Sequence, residues 1–327
     1  MKVLHLSDLH FTADDQVNRP LIDRITFSAQ NYPAHFFVIT GDIVDNEGDV
    51  ALGTSLPVPN MSAIIPTALL SPPPPLGPID PHLARTRLAM QKARDELARL
   101  PQGRVIVCAG NHDFGLWGNI YATEFVSAFD ELIFKPILDR GGPTDGSTVF
   151  ASSLDTNFPV LSAQKPILYV ITSDGVTLTL VSVCTPADPI LSLPTALATG
   201  LVGREQLDML SASVLNPIAG ASGIGTLFGP KVVMMHHHPF IHNFTMQLED
   251  ADSFMSIARN NADLIMFGHQ HVEKRYEPNE VPGGGFRCGA LAAGSSRTET
   301  GAWEVEISPP VGTQPALMTF QRVPIVD

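Results

Sequence analysis

Five short apolar runs in this chain each stop at residues able to bind a metal ion, and that repetition constrains the fold more than any other feature. Val3, Leu4 and Leu6 lead through Ser7 to Asp8 and His10. Phe36, Phe37, Val38 and Ile39 end in Thr40-Gly41-Asp42. Val105, Ile106 and Val107 run into Gly110-Asn111-His112-Asp113. The run from Lys231 to Met235 ends in His236-His237-His238-Pro239, and Leu264 to Phe267 ends in Gly268-His269-Gln270-His271. Short apolar runs bounded by glycine and polar residues have the length of buried strands. In open α/β sheets, ligands collect outside the carboxyl ends of the strands. One Asp-x-His triplet is ordinarily solvated surface. Seven of the eleven histidines crowded into five strand ends predict a single site. His5, His35, His82 and His242 lie outside these stretches and read as structural.

Helical signals separate the runs. Pro20-Leu21-Ile22 suits a first helical turn, so a helix is expected over about 20–30, giving strand, helix, strand in βαβ order. Residues 46–80 carry Pro57, Pro59, Pro66, Pro72 to Pro75 and Pro78, which excludes a regular helix or central strand. This segment reads as a surface insertion. Its start just after Asp42 also allows a loop overhanging the site. Asp80-Pro81 opens the clearest helix, with Asp as N-cap and Pro at the first position. Leu83, Met90, Leu97 and Leu100 are expected inward, with Arg85, Arg87, Lys92 and Arg94 outward. Further expectations are part-helix over 117–140, a hairpin of 168–172 and 176–183 across Ser173-Asp174-Gly175, and a helix over 203–215. A helix capped by Asp252 or Ser253 to about 260, and strands near 286–292, 303–307 and 318–323, complete the reading. With no internal repeat, the chain is expected to form one domain, 1–327, with a Pro-rich insertion at about 46–80 and a C-terminal β segment at about 283–327.

Composition narrows the partners. A length of 327 residues with 44% hydrophobic content supports a real core. Twenty Lys+Arg against 33 Asp+Glu give a net charge of -13, a poor match for polymeric nucleic acid or an anionic membrane. Bound metals can still create a local cationic site. Cys108, Cys184 and Cys288 are too few and too scattered for a disulfide framework, which suits a reducing cytoplasm. Neither a signal-peptide pattern nor an apolar run of the ~18 residues of a membrane helix is expected. A homo-oligomer is compatible with all of this.

Taken in order, Asp8-Leu9-His10, Gly41-Asp42, Gly110 to Asp113, His237-His238-Pro239 and Gly268 to His271 resemble the motif series of the calcineurin-like metallophosphoesterase superfamily over about residues 1–300. The resemblance implies an α/β fold, a layered β-sandwich of mixed sheets flanked by helices, with a dinuclear metal site at the strand carboxyl ends. One metal would be held by Asp8, His10 and His271, and the other by Asn111, His237 and His269, with Asp42 bridging. Nitrogen and oxygen donors without thiolate suit Mn, Fe, Zn or Co better than Ca or Mg. Two cations ~3.5–4 Å apart can clamp a phosphoryl group and activate a shared water for in-line attack. His112 would then protonate the leaving oxygen or steady phosphoryl charge, oriented by Asp45. Asn111 and His238 would contact substrate, and His236 would be buried at the strand end.

Departures from the pattern direct the substrate reading. Asn46 stands where phosphoprotein phosphatases carry arginine, and Asp45 stands where purple acid phosphatases carry a tyrosine ligand. What remains resembles the bacterial phosphodiesterase branch, acting on cyclic nucleotides or glycerophosphodiesters. A small phosphodiester is the expected substrate. The alternatives are a nuclease like those of double-strand-break repair, a broad phosphomonoesterase, and a catalytically silent scaffold, which would be marked by a missing ligand.

Overall fold

The computed structural model describes residues 1–45, 80–116, 120–121, 123–157, 159–186, 199–212, 229–240, 248–259, 261–312 and 314–326. The Pro-rich segment at 46–79 lies outside them, as do the end of the helix expected over 203–215 and residue 260.

The first half builds a βαβαβ unit. Strand β1 (Lys2–Leu6) leads through helix α1 (Asp15–Asn31) to β2 (Phe36–Thr40), and helix α2 (Asp80–Leu97) leads to β3 (Val105–Cys108). The three strands are parallel, with Leu4 opposite Phe37 and Val38 opposite Ile106. Helix α1 begins earlier than its proline implies. The Asp14 side chain accepts from the Gln16 amide as N-cap, and Pro20 sits inside the helix. A proline in a helix interior removes one backbone donor, but burial of Leu21 and Ile25 holds the helix on the sheet.

After β3 come a one-turn helix α3 (Asn111–Phe114), a two-residue ribbon β4 (Gly115–Leu116) and β5 (Ile120–Tyr121), helix α4 (Thr123–Phe129), a π-helical turn at Asp130–Phe134 and α5 (Lys135–Leu138). The second sheet is then laid down by β6 (Thr148–Ser153), β7 (Ile167–Ser173), β8 (Val176–Ser182), β9 (Lys231–Met234) and β10 (Leu264–Phe267). Its remaining strands are β11 (Lys274–Tyr276) and β12 (Ala290–Ala292). The strand order is β11-β12-β10-β9-β8-β7-β6, with β8, β9, β10 and β12 parallel. Helices α6 (Arg204–Ala212) and α7 (Ala251–Ala258) make the parallel crossovers. Strands β6 and β11, which carry polar and half-exposed residues, were not expected from the sequence.

The expected C-terminal β segment divides between sheets. Strand β12 joins the second sheet, whereas β13 (Gly301–Ile307) pairs antiparallel with β1, and β14 (Met318–Pro324) pairs with β13. The first sheet therefore reads β14-β13-β1-β2-β3.

Period-2 alternation decides which face each residue serves. Leu264 and Met266 of β10 join the cluster that contains Leu4, Ile106 and Tyr169, while Ile265 and Phe267 join Phe254 of α7 and Leu210 of α6. Sheets covered on both faces need near-continuous apolar strands, which is why these runs lack polar alternation. The result is two mixed sheets flanked by helices. Among the described residues, no helix is long and apolar enough to cross a membrane.

Candidate metal centre

The five motif stretches lie beyond the carboxyl ends of β1, β2, β3, β9 and β10, so both sheets deliver residues to one place. Six non-glycine residues in the described chain have positive φ: Asp8 (52°), His10 (55°), Asp42 (49°), His269 (72°), His271 (53°) and the hairpin residue Asp174 (52°). Left-handed backbone disfavours L-residues, and its concentration here marks a site where conformation is set by what the side chains must do.

The strand ends are tied to one another. His10 and Phe11 donate backbone bonds to Asp42 and Ile43, and the His269 amide donates to the Asp8 carboxylate at 3.1 Å across the sheets. Asp113 is fully buried, and its carboxylate accepts from the amides of Val44 (2.9 Å) and Gly110 (2.8 Å). Burial and the charge of Asp42 push its pKa up to about 7 despite those bonds. Gly110 passes so close to Asp42 that a Cβ would lie 2.1 Å from Oδ1.

Three groups of donor atoms result: Asp8-His10-His271, Asp42-His236-His269, and His10-Asp45-His112 beside them. In the first, His271 Nε2 lies 3.2 Å from Asp8 Oδ1 and 3.1 Å from His10 Nε2. In the second, His236 Nε2 lies 3.1 Å from Asp42 Oδ2, 3.0 Å from Asn111 Oδ1 and 3.2 Å from His269 Nδ1. Donors that share an ion at about 2.1 Å stand roughly 3–3.5 Å apart; the pairs above fall in that range, and the remaining pair of the first group, His10 Nε2 and Asp8 Oδ1, is wider at 3.9 Å. Asp8 and Asp42 are buried, and among the described residues neither forms an ion pair with lysine or arginine. Burial raises the Asp42 pKa, but the charges of His236 and His112 outweigh it and hold the carboxyl well below the usual range. Burial likewise opposes the charge of His236, yet Asp42 lifts that imidazole to about 9. This corner attracts a proton, and a divalent ion would displace it.

The three adjacent histidines have three environments. His236 Nδ1 lies 2.7 Å from the Thr40 carbonyl. A carbonyl can only accept, so Nδ1 carries the hydrogen, and in the neutral ring Nε2 keeps its lone pair toward the donor group. His237, the expected ligand, is outside these groups: its Nδ1 lies 2.8 Å from Thr185 Oγ1. His238, expected to touch substrate, is buried with Nε2 3.1 Å from the Tyr276 hydroxyl, its ring packed on Phe240 and Phe267. The backbone alternates as it leaves β9, and His236 is the first residue turned toward β2.

His112 lies beside the first two groups and shares the third with His10 and Asp45. Its amide donates to Asp42 Oδ1 at 2.9 Å, and its ring meets that of His10 edge-on with centroids 5.1 Å apart. Its Nδ1 lies 3.7 Å from Asp45 Oδ1, within ion-pair range but beyond hydrogen-bond length. A further residue, Arg297, has no motif to announce it. Its Nη1 lies 3.7 Å from Asp45 Oδ2.

A model of the calcineurin-like phosphoesterase family matches residues 1–273. This chain belongs to that family. Among solved structures, this phosphoesterase is similar to a dimetal phosphatase from Danio rerio, with 11% identity over 100% of this chain and 98% of the other and a TM-score of 0.53. It also matches the calcineurin-like phosphoesterase YfkN from Bacillus subtilis, with 12% identity over 99% and 90% of the two chains and a TM-score of 0.46. At such identities the first likeness is one of fold. No curated protein matches the chain. The calcineurin-like phosphoesterases are metal-dependent hydrolases, and among the described residues the Asp and His groups above could hold metal.

Proposed function

We propose that this calcineurin-like phosphoesterase hydrolyses small phosphodiesters, of cyclic-nucleotide or glycerophosphodiester size, at a dinuclear metal site. Asp8, His10 and His271 would hold one ion, and Asn111, His236 and His269 the other, with Asp42 shared. Bound ions supply Lewis acidity there, neutralising phosphoryl charge and acidifying water. The observation that carries the reading is the position of His112, whose amide donates to Asp42 and whose ring meets that of His10, so that it touches a residue of each of the two proposed ion sites. From there His112 would give its proton to the departing oxygen, and Asp45 would favour the charged imidazole before that transfer.

Charge supports a small diester. A net charge of -13 disfavours the basic track that polymeric DNA requires. A monoester carries close to two negative charges and gains most from a guanidinium beyond the metals. Arg297 beside Asp45 favours a second reading, in which monoesters are also turned over.

The test is a comparison of kcat/KM on bis(p-nitrophenyl) phosphate, p-nitrophenyl phosphate, cyclic nucleotides and plasmid DNA, with protein reloaded with Mn, Zn, Co or Fe. The highest value is expected for a small diester. A clear monoester preference selects the second reading, and efficient DNA cleavage with steep salt dependence rejects both.

A further inference from the structure

We propose that Arg297 grips the phosphoryl group of the substrate and sets how well monoesters compete with diesters. The inference rests on the phosphoesterase reading above.

Arg297 reaches the site from a part of the chain that carries none of the family motifs. It follows β12 in a turn whose backbone is pinned from three sides. The Ser295 hydroxyl donates to the Asp8 carbonyl at 2.9 Å, and the Ser296 amide donates to the Ser7 carbonyl at 2.9 Å. From α1, Arg24 donates to the carbonyls of Ser296 (2.7 Å) and Thr298 (3.4 Å). The amides of Thr298 and Glu299 close the turn on the Ser295 carbonyl. A residue inside such a turn has a fixed Cα and a side chain with limited reach. Its guanidinium stands beside Asp45, which in turn faces His112.

The contact with Asp45 steers the guanidinium without engaging its fork. At 3.7 Å it is an ion pair and not a hydrogen bond. Among the described residues, no hydrogen bond holds the Arg297 guanidinium, and the side chain is 29% exposed. Its planar donors therefore stay unspent beside Asp45, the carboxylate that also lies 3.7 Å from the ring of His112. A guanidinium offers two parallel N–H groups matched to two phosphoryl oxygens. A monoester presents three non-bridging oxygens and nearly two charges, and a diester presents two oxygens and one charge. The same arginine must therefore help the monoester more. It supplies from residue 297 the charge that phosphoprotein phosphatases place at the position of Asn46.

The experiment compares Arg297→Ala and Arg297→Lys with the wild type at equal metal content. Inorganic phosphate is titrated into each metal-loaded protein by calorimetry, and kcat/KM is measured on p-nitrophenyl phosphate and bis(p-nitrophenyl) phosphate. Arg297→Ala should raise the phosphate Kd about 10–100-fold, the range of a charged hydrogen bond. It should lower kcat/KM at least about tenfold more for the monoester than for the diester. Arg297→Lys should fall between, because it keeps the charge and loses the fork. Thermal melting serves as the control for folding, and if Arg297→Ala melts early the lysine variant carries the decision. An unchanged phosphate Kd, or equal losses on the two esters, overturns the proposal. If neither ester is hydrolysed by the wild type, the function reading fails and the phosphate titration still judges Arg297.

Discussion

At the scale of single residues, three adjacent histidines have three different environments. His236 gives Nδ1 to the Thr40 carbonyl and turns Nε2 to Asp42, Asn111 and His269. His237 faces Thr185, and His238 faces Tyr276. A ligand whose other nitrogen is held by a backbone carbonyl is fixed in both tautomer and direction. His236→Ala should therefore lose one metal equivalent and nearly all turnover. His237→Ala should keep both metals and lose stability by about 1–3 kcal/mol, from a cavity and an unpaired Thr185 hydroxyl. Metal analysis of the two purified variants decides between them, and the opposite pattern would restore His237 as the ligand.

At the scale of elements, the site is made by turns that leave little room. The turns after β2 and β3 are laced by Asp113, which accepts one amide from each. Gly110 lets the β3 turn pass against Asp42, where a Cβ would meet the amide nitrogen at 2.3 Å as well as Oδ1. A backbone nitrogen cannot swing aside as a flexible side chain can. Gly110→Ala should cost at least ~1–3 kcal/mol in stability. It should also weaken metal binding, because Asp42 must move. A variant that melts and binds metal like the wild type would mean that the turns yield more easily than their bonding implies.

At the scale of the whole molecule, two sheets meet at their carboxyl edges, and buried histidines make that arrangement acid-sensitive. His5 on β1 bonds Thr40 Oγ1 on β2 at 3.0 Å and is fully buried. Burial pulls its pKa down to about 3, against the raising effect of Asp8. In the unfolded chain the value is ~6.5. Below that pH the unfolded chain takes up a proton that the folded one refuses. The contribution of His5 is therefore complete above about pH 6.5 and lost as pH falls toward 3. Between pH 7.5 and pH 5 the wild type should lose about 2 kcal/mol more than His5→Leu, at ~1.4 kcal/mol per unit of pH below 6.5. Urea unfolding of both proteins at each pH measures the difference. Parallel losses would mean that His5 is already charged in the folded state.

The order of short apolar runs and their polar ends was sufficient to read the strands β1, β2, β3, β9 and β10, the βαβ connection between them, and the family. Strand burial and strand-end chemistry are local properties, so a sequence carries them openly. That Asp8, His10, Asp42, Asn111, His269 and His271 would meet in one place was legible for the same reason, each being the first ligand-type residue after a strand or a fixed step beyond it. Three other features depended on tertiary structure. Which of three buried successive histidines faces Asp42 follows from the direction in which the chain leaves β9 and from the position of the Thr40 carbonyl on another sheet. The split of the C-terminal strands, with β12 in one sheet and β13 in the other, follows from edge pairing that no local pattern encodes. Arg297 is 252 residues from Asp45 in sequence and 3.7 Å from it in space, because Ser295 and Ser296 fasten its turn to the end of β1. A charge brought in by such a long-range closure has no periodicity or spacing to reveal it, and only the fastening of its turn to the end of β1 puts it beside Asp45.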